Sequence, residues 1–207
     1  VLNWPNYWIW NKEQISFLKS YIQSDFKTIT KGVIPFSCSI EKINFERYIG
    51  TPTILVFDVQ PFRTSFYASL ATTVDYYSDD NSELFFNLID EVAKELNINV
   101  LIKRKRENHL ISKKYKKKLS DLLMNSYWNE ISPSVDANSI CFNLKPIASI
   151  SMPFTSTALI SSNHNIPTVY LDVIGNLEKE LFNNEKIPLI FCKRELTDWL
   201  KTCINIS

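Results

Sequence analysis

Residues 150–172 constrain the fold more than any other stretch of this chain. Ile150-Ser151-Met152-Pro153 closes an apolar run at a proline, and Thr155, Ser156 and Thr157 follow as a hydroxyl-rich turn. A short helical segment then leads to Ile166-Pro167-Thr168-Val169-Tyr170-Leu171-Asp172, a second strand pattern. Strand, turn, helix and strand in that order build a parallel crossover. The turn sets its hydroxyls at the start of the helix, beside backbone N–H groups that have no helical partner. A phosphate fits such a helix start, although ordinary capping by one of the three hydroxyls is the competing reading.

The rest of the chain repeats that alternation. Residues 53–59 form a β-branched apolar run suited to a strand buried on both faces. Strands are also expected over 31–36, 99–103, 129–132, 148–152, 168–171 and 188–192. Helices are expected over 14–21, 82–96, 113–124, 137–143, 156–163, 177–182 and 195–202, with Ser82 as the cap of the second. The pattern predicts an α/β, Rossmann-like three-layer fold, a parallel sheet with helices on both faces and ligands at its C-terminal strand edge. The breaker Gly50-Thr51-Pro52 divides an aromatic-rich N-terminal segment, 1–50, from this domain, 51–207. Three tryptophans and a tyrosine within Val1 to Trp10 are too aromatic for a solvated tail.

Composition narrows the function classes. With 207 residues and 45% hydrophobic content the chain can bury a full core. Its net charge of +1 supplies no global attraction for nucleic acid, so any basic site is local. No apolar run approaches the ~20 residues of a membrane-spanning helix. The start at Val1 shows no secretory signal, and the lack of an initiator Met reads as an excised segment. Cys38, Cys141, Cys192 and Cys203 have no CxxC spacing, which points to buried reduced thiols and to no metal. Three glycines exclude a GxGxxG or Walker-type loop. Any nucleotide must be held by hydroxyls and helix ends.

A parallel sheet would bring Asp58 to Arg63, Lys103 to Arg106, Ser132 to Asp136, Pro153 to Thr157 and Asp172 to Gly175 to one edge. Thr155, Ser156, Thr157, Lys103 and Lys105 are the candidates for a nucleotide phosphate, because hydroxyls, cations and a helix end all favour an anion. Strand alternation points Lys103 and Lys105 one way and Arg104 and Arg106 the other, so one pair at most faces a cleft. Asp58, Arg63, Ser134 and Asp172 are candidates for contacts to nucleoside or sugar, and the two carboxylates could equally orient a base or cap a turn. The lysines at 113, 114, 116, 117 and 118 read as a solvated helix face, or as attraction to an anionic lipid or glycan surface. His109 and His164 have no assignable triad partner.

The run Ser151 to Ala158 with Ile166 to Asp172 resembles the bacterial polysaccharide-biosynthesis proteins named for their PFTS motif. Asn3-Trp4-Pro5 with Trp10, Phe57-Asp58-Val59 before Pro61, Lys103-Arg104-Lys105-Arg106 and Ile131-Ser132-Pro133 support it, and the resemblance covers most of the chain. It implies the C-terminal, donor-binding half of a GT-B glycosyltransferase similar to sialyltransferase-like and Kdo-transferase-like enzymes. In those a Ser/Thr turn at a helix start holds the CMP phosphate, the position matched by Thr155, Ser156 and Thr157. The implied partners are a nucleotide-sugar donor and a glycan or glycolipid acceptor, with no cofactor and no nucleic acid. The implied location is cytoplasmic, with peripheral contact at the inner membrane surface.

This sequence lacks the His-Pro pair that holds the nucleotide in those enzymes, and Lys103 and Lys105 could replace its cation. Their general base comes from the other half, so no catalytic residue is assigned here. A nucleotide-sugar epimerase of the same architecture and a non-catalytic nucleotide-binding or scaffold module remain the alternatives.

Overall fold

A computed structural model describes residues 4–9, 15, 18–19, 22, 25–30, 42–45, 51–63, 65, 76–105, 110–153, 155–179 and 186–206. The strand expected over 31–36 lies outside them, as do Trp10, Cys38, Arg106, His109 and Phe154. Of the helices expected over 14–21 and 177–182, only scattered residues are described. The chain divides into two compact units, Val1–Ser39 and Ile40–Ser207. In the first, β1 (Asn6–Ile9) pairs in parallel with β2 (Lys27–Thr30), and Tyr7 meets Phe26 edge to face at 5.3 Å. Trp4 and Trp8 stay exposed.

The second unit is a Rossmann-like α/β domain. It contains β3 (Thr53–Phe57), α1 (Asp79–Leu96), β4 (Asn99–Lys103), α2 (Lys113–Leu123), β5 (Trp128–Ile131), α3 (Ala137–Leu144), β6 (Ala148–Ser151), α4 (Ser156–Asn163), β7 (Thr168–Leu171), β8 (Leu189–Ile190) and α5 (Lys193–Ile206). The strands lie in the order β5-β4-β3-β6-β7-β8, all parallel. Counting from β3, that is 3-2-1-4-5-6, and it reverses direction between β3 and β6. A crevice opens at such a reversal, because the chains leaving the two strands turn to opposite faces.

Alternation along the strands fills two separate cores. Ile54, Val56, Val100, Ile102, Ile150 and Val169 pack against α1, α2 and α5. Leu55, Phe57, Leu101 and Ile131 pack against α3 and α4. Both faces are therefore covered, as a parallel sheet requires. No described helix is long and apolar enough to cross a membrane.

Two expectations need correction. Ser82 does not cap its helix: α1 starts a turn earlier, where the Ser78 hydroxyl accepts from the Asn81 N–H and Asp79 and Asp80 occupy the first turn. Carboxylates there are favoured by the helix dipole, and Ser82 is left buried within the helix. Of the described thiols, Cys141 and Cys203 are buried but Cys192 is exposed, in the bend between β8 and α5.

A strap closes the C-terminal ends of β3 and β4. Phe62 bridges Ile111 antiparallel, Arg63 N–H donates to Leu110 O at 2.8 Å and Ser112 N–H to Pro61 O at 2.9 Å. Beneath it Asp58 is buried and accepts a hydrogen bond from the Tyr115 hydroxyl, while Oδ1 has no partner among the described residues. Burial pushes the Asp58 carboxyl up to about 6, against the lowering effect of Tyr115.

Two predictions follow from this packing. Phe86 is fully buried, with ring centroids 5.8 Å from Tyr115 and 6.1 Å from Trp128. Phe86→Ala should cost about 3–5 kcal/mol in urea unfolding, whereas Leu84→Ala, on the exposed side of the same helix, should change stability by less than about 0.5 kcal/mol. The second concerns Asp58, whose carboxyl stays protonated in the native chain at pH values where the unfolded chain has released the proton. Stability should therefore fall as pH rises from the ordinary carboxylate range to about 6, and level off above it. Asp58→Asn should abolish that slope and raise stability near neutral pH by about 2–3 kcal/mol. An unchanged pH profile in the variant would show that another group titrates.

Candidate functional site

The strand order reverses between β3 and β6, the position at which folds of this kind open a crevice. On the β6 side the chain passes Met152 and Pro153 into Thr155, the N-cap of α4. Thr155 has the extended backbone of a cap, but its side chain makes no cap hydrogen bond; the hydroxyl donates instead to Met152 O at 3.1 Å. The other long crossover helices are capped from their own sequence, α1 by Ser78, α2 by Ser112 and α3 by Asp136. The start of α4 thus has no cap bond from Thr155, with Ser156 exposed and Thr157 half-buried beside it.

Lys103 is the last residue of β4, in register with Phe57, which is in register with Ser151. These three side chains share the face that carries α3 and α4. Neighbouring strands lie about 4.8 Å apart, so Lys103 and Ser151 are separated by roughly 10 Å across β3. Lys103 is buried, and its Nζ donates to Arg104 O at 3.1 Å and Pro133 O at 3.3 Å. Both acceptors are carbonyls. Burial holds the ammonium below the usual lysine range, while the charges of Asp136 and Asp58 pull it back. Arg104 points the other way along the strand and pairs with Glu130, and Lys105 is exposed beyond the strand end.

The remaining candidates fall in distinct places. Ser134 is exposed in the loop that Lys103 grips through Pro133, and its hydroxyl meets that of Ser132 at 2.8 Å. Arg63 is exposed on the strap. Asp58 is sealed beneath that strap. Asp172 is fully buried at the end of β7; Oδ1 accepts from Tyr76 Oη and Ile174 N–H, both at 3.1 Å, and Oδ2 from Leu177 N–H at 3.0 Å. The structure thus joins Lys103 to the Ser132–Ser134 loop, with β3 between them and β6, and it occupies the Asp172 carboxylate with turn-holding bonds. His164 ends α4 and pairs with Asn138 at 3.3 Å, a joint between helices.

Sequence reasoning missed Tyr76, Tyr77 and Tyr115. Tyr77 Oη donates to Pro153 O at 3.0 Å, and its ring meets that of Tyr76 edge to face at 5.1 Å. The helix start at Ser78-Asp79-Asp80 was a usable signal that two aromatic residues sit at the foot of a helix. Their partners, 76 and 96 residues away, leave no trace in sequence.

No curated protein matches this chain. A solved structure described as "Crystal Structure of TarM" is similar over 96% of this chain at 14% identity, with a TM-score of 0.46, and this chain spans 36% of that one. The family model for "Polysaccharide biosynthesis PFTS motif protein" matches residues 1–200, a span that includes the sequence Pro153-Phe154-Thr155-Ser156. The chain belongs to the polysaccharide-biosynthesis PFTS motif family.

Proposed function

We propose that this chain is the donor-nucleotide half of a GT-B glycosyltransferase. It would transfer a sugar, with a CMP-linked acidic sugar favoured, to a growing surface polysaccharide or lipopolysaccharide. The observation that carries this reading is the α4 start without a capping side chain, at a strand-order reversal, flanked by a buried lysine whose described partners are carbonyls. A helix terminus and a desolvated ammonium both favour an anion, and a nucleotide phosphate is the anion that family membership makes relevant.

The chemistry is leaving-group stabilisation. As the bond between the sugar's anomeric carbon and the phosphate oxygen breaks, negative charge grows on the phosphate. The N–H groups at the start of α4, the hydroxyls of Ser156 and Thr157 and the Lys103 ammonium would meet that charge without reorganising. Thr155 shapes the turn through Met152 O. Lys105 and Arg63, exposed near the same edge, would add longer-range attraction, and Ser134 would contact nucleoside or sugar. Asp58 and Asp172 serve in this reading by holding the strap and the β7 turn. The acceptor and the general base belong to another part of the enzyme, for which the exposed Trp4 and Trp8 offer a packing surface. Lys113, Lys116 and Lys117 face solvent on α2, while Lys114 is spent on Asp80 and Glu83. They would draw a cytoplasmic enzyme to an anionic inner-membrane surface.

Calorimetric titration with CMP, CDP, UDP and GDP tests the site. A cytidine nucleotide should bind best, and Thr155→Ala combined with Ser156→Ala should weaken it by roughly tenfold to a hundredfold. Lys103→Met should weaken binding and flatten its dependence on salt. Failure of every nucleotide to bind at millimolar concentration, or indifference to the double substitution, would rule out the phosphate site.

A further inference from the structure

We infer that Tyr76 and Tyr77 are positioning residues for the turn that begins α4, a two-hydroxyl clasp reaching across the C-terminal edge of the sheet. The inference rests on the anion-site reading above and names what holds that site in shape. Both tyrosines stand at the foot of α1, which packs on the face opposite α4. From there Tyr77 Oη donates to Pro153 O, and Tyr76 Oη donates to Asp172 Oδ1. The edge-to-face ring contact makes the pair a single unit bridging the exits of β6 and β7.

The chemistry of the turn explains the need for them. An anion at the start of α4 is repelled by any carbonyl oxygen or carboxylate left free beside it. Among the described residues of these two loops, Met152 O, Pro153 O and the Asp172 carboxylate are groups of this kind. Each is occupied by a donor: Thr155 Oγ1 on Met152 O, Tyr77 Oη on Pro153 O, and Tyr76 Oη with two backbone N–H groups on Asp172. The carbonyl oxygens of Met152 and Pro153 are thereby engaged, and Thr155 makes no cap bond to the N–H groups that begin α4. Two of the donors come from a distant part of the chain, so the turn is not shaped by its own sequence alone.

Tyr77→Phe and Tyr76→Phe keep both rings and remove one hydroxyl each, and Asp172→Asn alters the acceptor. Two measurements on the full chain separate the possibilities: backbone amide exchange at Leu159 and Ile160, whose N–H groups close the first turn of α4, and calorimetric affinity for CMP and inorganic pyrophosphate. Tyr77→Phe should speed exchange at those amides by about threefold to tenfold, with exchange in β3 and β4 unchanged, and should weaken both probes by a similar factor. Tyr76→Phe and Asp172→Asn should act in the same direction. Unchanged exchange in all three variants overturns the clasp. Faster exchange with full affinity for both probes overturns the positioning role. If the unaltered chain binds neither probe, the nucleotide reading fails separately; faster exchange in the tyrosine variants then still supports the clasp, and unchanged exchange rejects it.

Discussion

The need to bury both faces of a short parallel sheet governs this molecule. Parallel neighbours cannot be joined by tight turns, so β3, β4, β5 and β6 are each followed by a crossover whose helix covers one face. Strands of two to five residues then carry side chains for two cores, with Ile54 and Val56 serving one and Leu55 and Phe57 the other. Because α1 and α2 cover one face and α3 and α4 the other, the chain must reverse its direction of travel across the sheet. The crevice between β3 and β6 is the geometric result of that reversal, whatever residues line it.

Electrostatics gives the crevice its character. The helix starts around it are handled differently: Asp136 spends its carboxylate on the N–H groups of α3, while Thr155 turns its hydroxyl back to Met152 O. Lys103 is buried on carbonyl partners. Charge of the opposite sign is held out of reach, Asp58 beneath the strap and Asp172 within a cage of three donors. Thr155 thus leaves the start of α4 without its cap bond, while the carboxylates of Asp58 and Asp172 are buried and hydrogen-bonded.

Much of this was legible in the residues. The run from Thr53 to Phe57 announced a doubly buried strand because it is short, rich in β-branched residues and preceded by a Gly-Thr-Pro breaker. Alternation at Lys103 and Arg104 foretold that the two would part, and they do, one to the carbonyls near the crevice and the other to Glu130. The start of α1 was misread at Ser82 because apolar periodicity sets in there, whereas the helix begins where Ser78 and two aspartates satisfy its N–H groups and dipole. Exposure of Cys192 was likewise hidden, since burial of a thiol depends on what packs over the bend it occupies.

The sequence by itself determined the alternation of strand and helix, the faces each strand presents and the hydroxyl turn at Thr155, because these follow from local periodicity and backbone preference. Tertiary structure alone decided which carboxylates are available and which are consumed. Asp58 and Asp172 both end strands at the crevice edge and look alike in sequence. One is closed under a strap built from residues some fifty positions apart, and the other is held by Tyr76 from 96 residues away. Hydrogen bonds of that span form only after the sheet has brought its strand ends together, so no local pattern of residues encodes them.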